Sequence, residues 1–151
     1  LRKASEEEYK LALFKIEEFI KTRKTMSYDF NDYAKMHMYA GTVARYIYQQ
    51  KQDQCEVEIH VIRMGDIAIT TNPFELFLDY GNIIKARSAA SQTFIVQLAN
   101  GSCSYLPTEK AEKHGHYSAY ISSGICGHEG GKKLVETSLD AIRKLWESEG
   151  K

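Results

Sequence analysis

The sequence predicts an α/β fold in which a mixed sheet is flanked by helices and preceded by an N-terminal helical hairpin. Three observations predict this fold. Two amphipathic helical patterns fill residues 1–50, apolar and polar residues alternate from Cys55 onward, and a strand–helix–strand pattern occupies residues 67–99. A chain of 151 residues, 43% of them apolar, can bury a core as one domain or as part of one. The predicted organisation is a hairpin over 1–50 and a mixed segment over 55–151.

Both N-terminal helices carry local start signals. Ser5 followed by Glu8 forms a capping-box pattern, and an apolar stripe at helical spacing comes after it. Asp29 is placed to cap a second helix over about 30–50, which again has one apolar face. The two helices are expected to pack on each other or on the sheet.

The mixed segment is assigned from periodicity and breakers. Alternation over 55–62 and the apolar run at 67–71 predict two strands joined as a hairpin. A helix over 73–87 and a strand over 93–99 follow, an order that favours a parallel pair joined by a right-handed crossover. A last helix is predicted over 130–150, after a glycine-rich turn.

Composition narrows the class of partner. The formal net charge is +0, which argues against a dedicated nucleic-acid binder and against a polybasic membrane anchor. The expected partner is therefore a small or apolar molecule and not a polyanion. No run reaches the roughly 18 apolar residues of a transmembrane segment. The 3 cysteines include no CxxC pair and do not form the pattern of a disulfide framework. Because the chain begins at Leu1, we interpret it as a processed product or an excised segment.

Glu75 has two competing interpretations. In "TTNPFE", Asn72 is a possible helix cap, Pro73 suits the first helical position, and the Glu75 carboxylate could reach back to the cap. Glu75 also follows the strand at 67–71 at its carboxyl end, where open α/β sheets place ligand sites. The residues alone leave both interpretations open.

The loop over 99–120 should emerge at the same sheet edge as Glu75 if the two strands are parallel. Asn100 and Gly101 predict a turn, since both residue types tolerate positive φ. Tyr105 lies between this turn and a short helix predicted to start near Pro107. It is either a site residue or an ordinary half-buried aromatic among the 10 tyrosines.

Two further patterns are candidates for ligand binding. His114 and His116 form an HxH pair that could bind metal on a strand, although the alternation around it is poor. The run "CGHEGG" at 126–131 could hold an anion at a helix start, but it lacks the phosphate-loop patterns. Its alternative is a helix cap with His128 exposed.

A family resemblance rests on two stretches taken together. The run "VIRMGDIAITTNPFELFLDYG", followed by "TFIVQLANGSCSYLPTEKAEKHGHYSAY" and a closing helix, resembles the C-terminal part of the neutral (non-lysosomal) ceramidase catalytic domain. The resemblance covers roughly residues 60–150. It consists of a strand, a "PGE" helix start, a second strand, an Asn-containing loop that ends in tyrosine, and a second tyrosine further on.

The resemblance implies a zinc-dependent amidohydrolase that cleaves the N-acyl amide bond of a lipid-like substrate such as ceramide. The family's zinc-binding glutamate and tyrosine fall on Glu75 and Tyr105. Tyr117, Asn100 and His116 are the implied substrate-binding residues. The implied compartment is exported, periplasmic or membrane-associated.

The sequence also departs from the family pattern. Phe74 stands where the family has glycine in "PGE", and His116 occupies a position that is usually basic. The two histidine ligands of the family have no counterpart in residues 1–54, where His37 is the single histidine. We therefore expect the upstream part of the same polypeptide to supply them. The isolated segment is expected to bind zinc weakly or not at all and to be inactive. The alternative function is a non-catalytic binding or structural module with the same fold.

Overall fold

The computed structural model describes residues 1–148 and confirms the α/β class, with the hairpin preceding a small mixed sheet. The helices are α1 (Glu6–Thr22), α2 (Phe30–Tyr48), α3 (Leu78–Arg87), α4 (Glu109–His114) and α5 (His128–Glu147), with short 3₁₀ helices at Tyr117–Ala119 and Ile121–Ser123. The strands are β1 (Val61–Met64), β2 (Ile67–Thr71), β3 (Glu75–Leu76), β4 (Gln92–Val96) and β5 (Tyr105–Leu106). Within residues 1–148, no helix is both long and apolar enough to cross a membrane.

The helical hairpin forms as predicted because both of its start signals are satisfied locally. Ser5 and Glu8 form a reciprocal capping box at α1, and Asp29 forms another with Asp32 at α2. The helices pack together along their length, with the rings of Tyr9 and Tyr46 stacked 4.3 Å apart. Capping boxes satisfy backbone donors that a helix start otherwise leaves unpaired, which fixes both boundaries.

A three-stranded sheet in the order β1-β2-β4 organises the mixed segment. β1 and β2 form the predicted antiparallel hairpin, and β2 and β4 form the predicted parallel pair, connected through α3. α5 covers one face of this sheet, where the Thr70 hydroxyl donates to the Ser138 hydroxyl at 3.3 Å. The apolar residues of α5 join those of the strands in one core, as the helical spacing of residues such as Leu134 and Ile142 predicts.

The hairpin is joined to the mixed segment by an arginine. Arg45 of α2 donates from Nη2 to the carbonyl oxygen of Gly124 at 2.9 Å and from Nη1 to that of Ile125 at 3.1 Å. Since a guanidinium group carries several donors in a fixed plane, one side chain holds two consecutive carbonyls. The hairpin therefore contacts the segment before α5. It does not cover the face of the sheet that lies opposite α3 and α5.

Three predicted elements are wrong in their bounds. The strand predicted over 93–99 is β4, which ends at Val96. The strand predicted over 55–62 forms a ladder only from Val61, although side chains over 55–60 alternate between half-buried and exposed as the pattern predicts. The helix predicted over 73–87 begins at Leu78 instead. Residues 73–77 are extended because their backbone groups pair with the loop before β5 and with β5 itself. The predicted end of the last helix at residue 150 lies outside the described residues.

Candidate functional site

Glu75 and Tyr105 are directly paired in the structure. β3 and β5 form a second, two-stranded parallel sheet, and its register places Glu75 opposite Tyr105. Both strands continue beyond the carboxyl ends of β2 and β4, so the predicted convergence of these two residues at one sheet edge is confirmed. The capping interpretation of Glu75 is wrong, since Glu75 lies in a strand and α3 starts at Leu78.

The segment before Glu75 is fixed by a buried asparagine. Asn72, which is 2% exposed, accepts a hydrogen bond from the Phe74 amide on Oδ1 at 3.1 Å. Its backbone amide donates to the Val96 carbonyl at 2.9 Å, and its carbonyl accepts from Ala99 at 3.0 Å. Asn72 therefore caps no helix and instead joins the ends of β2 and β4. This local turn redirects the chain so that Glu75 can pair with β5.

Hydrogen bonds from two other parts of the chain hold β3 in place. The Glu75 amide donates to the Ser104 carbonyl at 3.0 Å, and the Leu76 amide donates to Oε1 of Gln97 at 2.6 Å. Gly124 passes so close to β5 that a Cβ there would lie 2.3 Å from the Tyr105 carbonyl oxygen. Both strands of the site are thus fixed by backbone contacts from separate parts of the chain.

The Tyr105 hydroxyl interacts with the Glu75 carboxylate, and hydrogen bonding to that carboxylate raises the pKa of Tyr105 above its ordinary value. Loss of the phenolic proton would place two negative charges side by side, which explains the direction. The Tyr117 ring packs edge-on against Tyr105 with centroids 5.9 Å apart. Glu75, Tyr105 and Tyr117 therefore form one contiguous group.

This group opens into a shallow cleft of about 360 Å³ at the end of the sheet. Its walls combine the carboxylate and phenol with an amide and apolar side chains. The lining residues are Glu75, Leu76, Phe77, Gln97, Leu98 and Tyr105. A hydrogen-bonded pair of oxygens with apolar walls is an arrangement that suits an amphiphilic ligand.

The loop between β4 and β5 has an unusual backbone. Leu98, Asn100 and Ser104 all have left-handed φ values, of 53°, 58° and 57°. Such values cost energy for residues with side chains and concentrate at functional sites. The turn predicted at Asn100 and Gly101 is confirmed, with Gly101 at φ 140°. Leu98 and Ser104 showed no sequence signal for this conformation.

The other predicted site residues lie at different distances from the cleft. Tyr117 contacts Tyr105 but is 66% exposed. Asn100 lies exposed at the β4–β5 loop, and His116 lies exposed immediately before Tyr117; within residues 1–148 neither lines the cleft. His114 ends α4, where its Nδ1 is 2.8 Å from the Lys110 carbonyl oxygen.

A second acidic group lies half-buried away from the cleft. Glu112 accepts from the backbone amide of His128 on Oε1 and lies against His128 Nδ1 on Oε2, both at 2.7 Å, while Arg2 Nε lies 4.0 Å from Oε1. We refer to Arg2, Glu112 and His128, all three half-buried, as the buried cluster. His128 is half-buried, so its predicted exposure is wrong. The carboxylate of Glu112 stabilises the start of α5, where backbone amides are unpaired.

The cavity beside the buried cluster is larger than the cleft, at about 540 Å³. We nevertheless place the candidate site in the cleft. Both Glu112 oxygens already face internal partners, whereas the Glu75 carboxylate opens to solvent beside a phenol. Among residues 1–148, no three His, Cys, Asp or Glu side chains are grouped to hold a metal ion.

The sequence did not indicate four of the residues that line the cleft, Leu76, Phe77, Leu98 and Gln97, of which Gln97 is the polar one. Its side chain accepts the Leu76 amide and lines the cleft. The signal available was its position, one residue beyond the end of β4 and next to the Asn-containing loop.

No protein-family model, curated protein or solved structure matches the chain. The resemblance to neutral ceramidases therefore stays a prediction from the residues.

Proposed function

We propose that this chain is the C-terminal portion of a zinc-dependent amidohydrolase of the neutral ceramidase type, which hydrolyses the N-acyl amide bond of a lipid-like substrate. The observation that supports it most is the in-register pairing of Glu75 with Tyr105 at the carboxyl end of the sheet. These are the two residues on which the family's glutamate and tyrosine ligands fall. They lie 30 positions apart in the chain and nothing local requires them to meet.

The donor set fits half of a zinc site. A carboxylate oxygen and a phenolic oxygen are both suitable ligands for a divalent cation, and here the Tyr105 hydroxyl interacts with the Glu75 carboxylate. A cation bound between them would displace the phenolic proton. Two protein oxygens do not complete a catalytic zinc site, which usually has three protein ligands, so the missing nitrogen ligands belong to the upstream polypeptide.

The chain's own residues would position the reacting groups. A bound zinc ion would make a water molecule acidic and polarise the amide carbonyl. Glu75 and Tyr105 hold fixed positions because their strands are braced by Ser104 and Gln97. Leu76 and Leu98 offer apolar contacts to an acyl chain. Tyr117 restricts the ring of Tyr105 and is placed to contact the substrate.

Asn100 and His116 are proposed to bind substrate only in the assembled protein. Both are exposed on loops near the cleft elements but do not line it. Contacts from the upstream part would have to bring the substrate to them. The proposed compartment is exported, periplasmic or membrane-associated, where N-acylated lipids are presented.

An uncovered apolar sheet face supports the need for an upstream partner. In α/β proteins, parallel strands have both faces of the sheet covered. Here α3 and α5 cover one face, and four large apolar side chains on the opposite face are exposed. They are Ile62 (50% exposed), Met64 (61%), Phe94 (50%) and Val96 (42%). Burial against the upstream part of the same polypeptide would remove this surface from water.

The test is to measure hydrolysis of an N-acyl sphingoid amide by the protein that includes the upstream part, with and without a zinc chelator. We expect chelator-sensitive turnover that falls at least about 100-fold in Glu75→Gln and Tyr105→Phe, beyond what loss of a supporting contact costs. Glu58→Gln and Tyr33→Phe, both exposed and outside the lining of the cleft, are the matched controls and should retain activity.

The alternative, a non-catalytic binding or structural module, is favoured by one observation: the Glu75 carboxylate interacts with the Tyr105 hydroxyl of the same chain, a contact that needs no ligand. A parent protein that carries no stoichiometric zinc and cleaves no N-acyl amide would establish this alternative.

A further inference from the structure

The fold brings together three cysteines that are far apart in the sequence. Cys55 lies in the extended segment after the hairpin, Cys103 in the loop before β5, and Cys126 in the loop before α5. All are free thiols. Cys126 belongs to the hydrophobic core, and Cys55 and Cys103 pack against that core.

Cys55 and Cys126 share a cavity. Both line one space of about 220 Å³ between the extended segment and α5, and the Cys55 thiol is among the groups that raise the pKa of Cys126. Cys103 does not line this cavity, within the described residues. Two free thiols that line one cavity, on segments from different parts of the chain, are candidates for a disulfide.

The two thiols differ in accessibility. Cys126 is 7% exposed, and burial raises the pKa of its thiol to about 11. Cys55 is half-buried and lies at the edge of the same cavity. A reagent from solution therefore reaches Cys55 first, since a thiolate is the nucleophile and a buried thiol forms it reluctantly.

We propose that Cys55 and Cys126 form a redox-active pair that a low-molecular-weight disulfide oxidises to an intramolecular disulfide. The Cys55 thiolate attacks one sulfur of the small disulfide, whose S–S bond breaks and releases one small thiol. Cys126 then loses its proton and attacks Cys55 Sγ, which displaces the second small thiol. Two protein thiols are oxidised and one small disulfide is reduced to two thiols, so no other reactant is needed.

The new bond would connect two regions that are now held by weaker contacts. It would link the segment leaving the helical hairpin to the loop where Arg45 already binds Gly124 and Ile125. Because it closes a loop of about 70 residues, it should restrict the unfolded chain strongly. The pair is independent of the zinc site and of the proposed catalytic activity.

The experiment incubates the reduced, folded chain with oxidised glutathione under anaerobic conditions, blocks remaining thiols with an alkylating agent, and maps peptides without reduction. We expect a linked Cys55–Cys126 peptide, an alkylated Cys103, and a Tm raised by about 10 °C. Cys103→Ser should behave identically. Cys126→Ser should stop at a mixed disulfide on Cys55, without the rise in Tm.

Cys55→Ser provides the second variant if replacement of the buried Cys126 prevents folding. In Cys55→Ser, Cys126 should stay unmodified by the small disulfide while the protein is folded. A linkage that contains Cys103, or alkylation of both Cys55 and Cys126 after oxidation of the folded protein, would overturn the proposal.

Discussion

The buried cluster and the cleft each contain a glutamate with a hydrogen-bond donor beside it, but the two glutamates have opposite surroundings. The Glu112 side chain is 15% exposed, and each of its oxygens lies 2.7 Å from a nitrogen of His128. Glu75 has one side-chain partner, Tyr105, and its carboxylate faces an open cleft. A carboxylate whose two oxygens both accept internal hydrogen bonds has a structural role. A carboxylate with free acceptor capacity can bind a ligand.

The contrast extends to the tyrosines of the two regions. Tyr80, behind the buried cluster, is 5% exposed and donates to the Pro107 carbonyl at 2.8 Å. A Cβ on Gly131 would lie 2.2 Å from its ring, so α5 packs directly on it. Tyr105 interacts instead with a charged group at the surface. The same residue type is a packing element in one region and a candidate ligand in the other.

The largest expected effect separates the two glutamates by stability. Glu112→Gln should lower the free energy of unfolding by about 2–3 kcal/mol, because an amide cannot accept both charge-assisted bonds in a partly buried site. Glu75→Gln should cause a clearly smaller loss, since it removes a solvent-facing charge. Urea unfolding followed by circular dichroism measures both. Glu109→Gln, on the same helix as Glu112 but exposed and paired with surface lysines, is the control.

Equal destabilisation by Glu112→Gln and Glu75→Gln would contradict the expected difference between the two glutamates. It would mean that the cleft pair is a structural element and would weaken the proposed zinc site.

The second effect concerns Tyr80 and alkaline pH. Burial raises the pKa of Tyr80 from 10.0 to about 12. A pKa raised by folding contributes stability that is present below pH 10 and is lost as the pH rises through about 12, in total about 2–3 kcal/mol. Tyr80→Phe should lower stability at neutral pH by about 1 kcal/mol, the usual net value of a hydrogen bond. It should also flatten the stability decline between pH 10 and 12.

Chemical unfolding at closely spaced alkaline pH values tests this directly. Tyr33→Phe, at an exposed position of α2, serves as the reference for the general alkaline loss of stability. An unchanged decline in Tyr80→Phe would show that Tyr80 does not titrate with unfolding.

The sequence was sufficient where structure is set locally. The capping boxes at Ser5 and Asp29 predicted both hairpin helices, because each box satisfies its donors within four residues. The parallel strand pair followed from the order of periodic segments. The start of α3 was wrong for a physical reason: the signal at Asn72 and Pro73 is typical of a helix start, but the Glu75 amide binds the Ser104 carbonyl, a partner that local signals cannot reveal.

The candidate site was predictable in part for the same reason. Glu75 and Tyr105 were found by resemblance and by the expected meeting of strand ends, whereas the ladder that pairs them was missed because each strand has only two residues. Gln97 and the cavity shared by Cys55 and Cys126 depend on chain segments far apart in sequence. No spacing rule connects such segments.

The smallest expected effect concerns the pKa of the Tyr105 hydroxyl, which distinguishes the cleft from the buried cluster. The hydrogen bond to Glu75 raises the pKa of Tyr105, so Glu75→Gln should return that pKa toward its ordinary value of 10.0, because the neighbouring negative charge is gone. Because folding raises the pKa of Tyr105, any stabilisation from its interaction with Glu75 is present below pH 10. It is lost as the pH rises through the raised pKa of Tyr105 in the folded protein. Ring-carbon chemical shifts in tyrosine-labelled protein follow this one residue, with Tyr105→Phe to assign its signal and Glu58→Gln as the matched control. An unshifted Tyr105 titration in Glu75→Gln would show that the Glu75 carboxylate does not act on Tyr105 in solution, and the cleft would then lose the feature that distinguishes it from an ordinary surface.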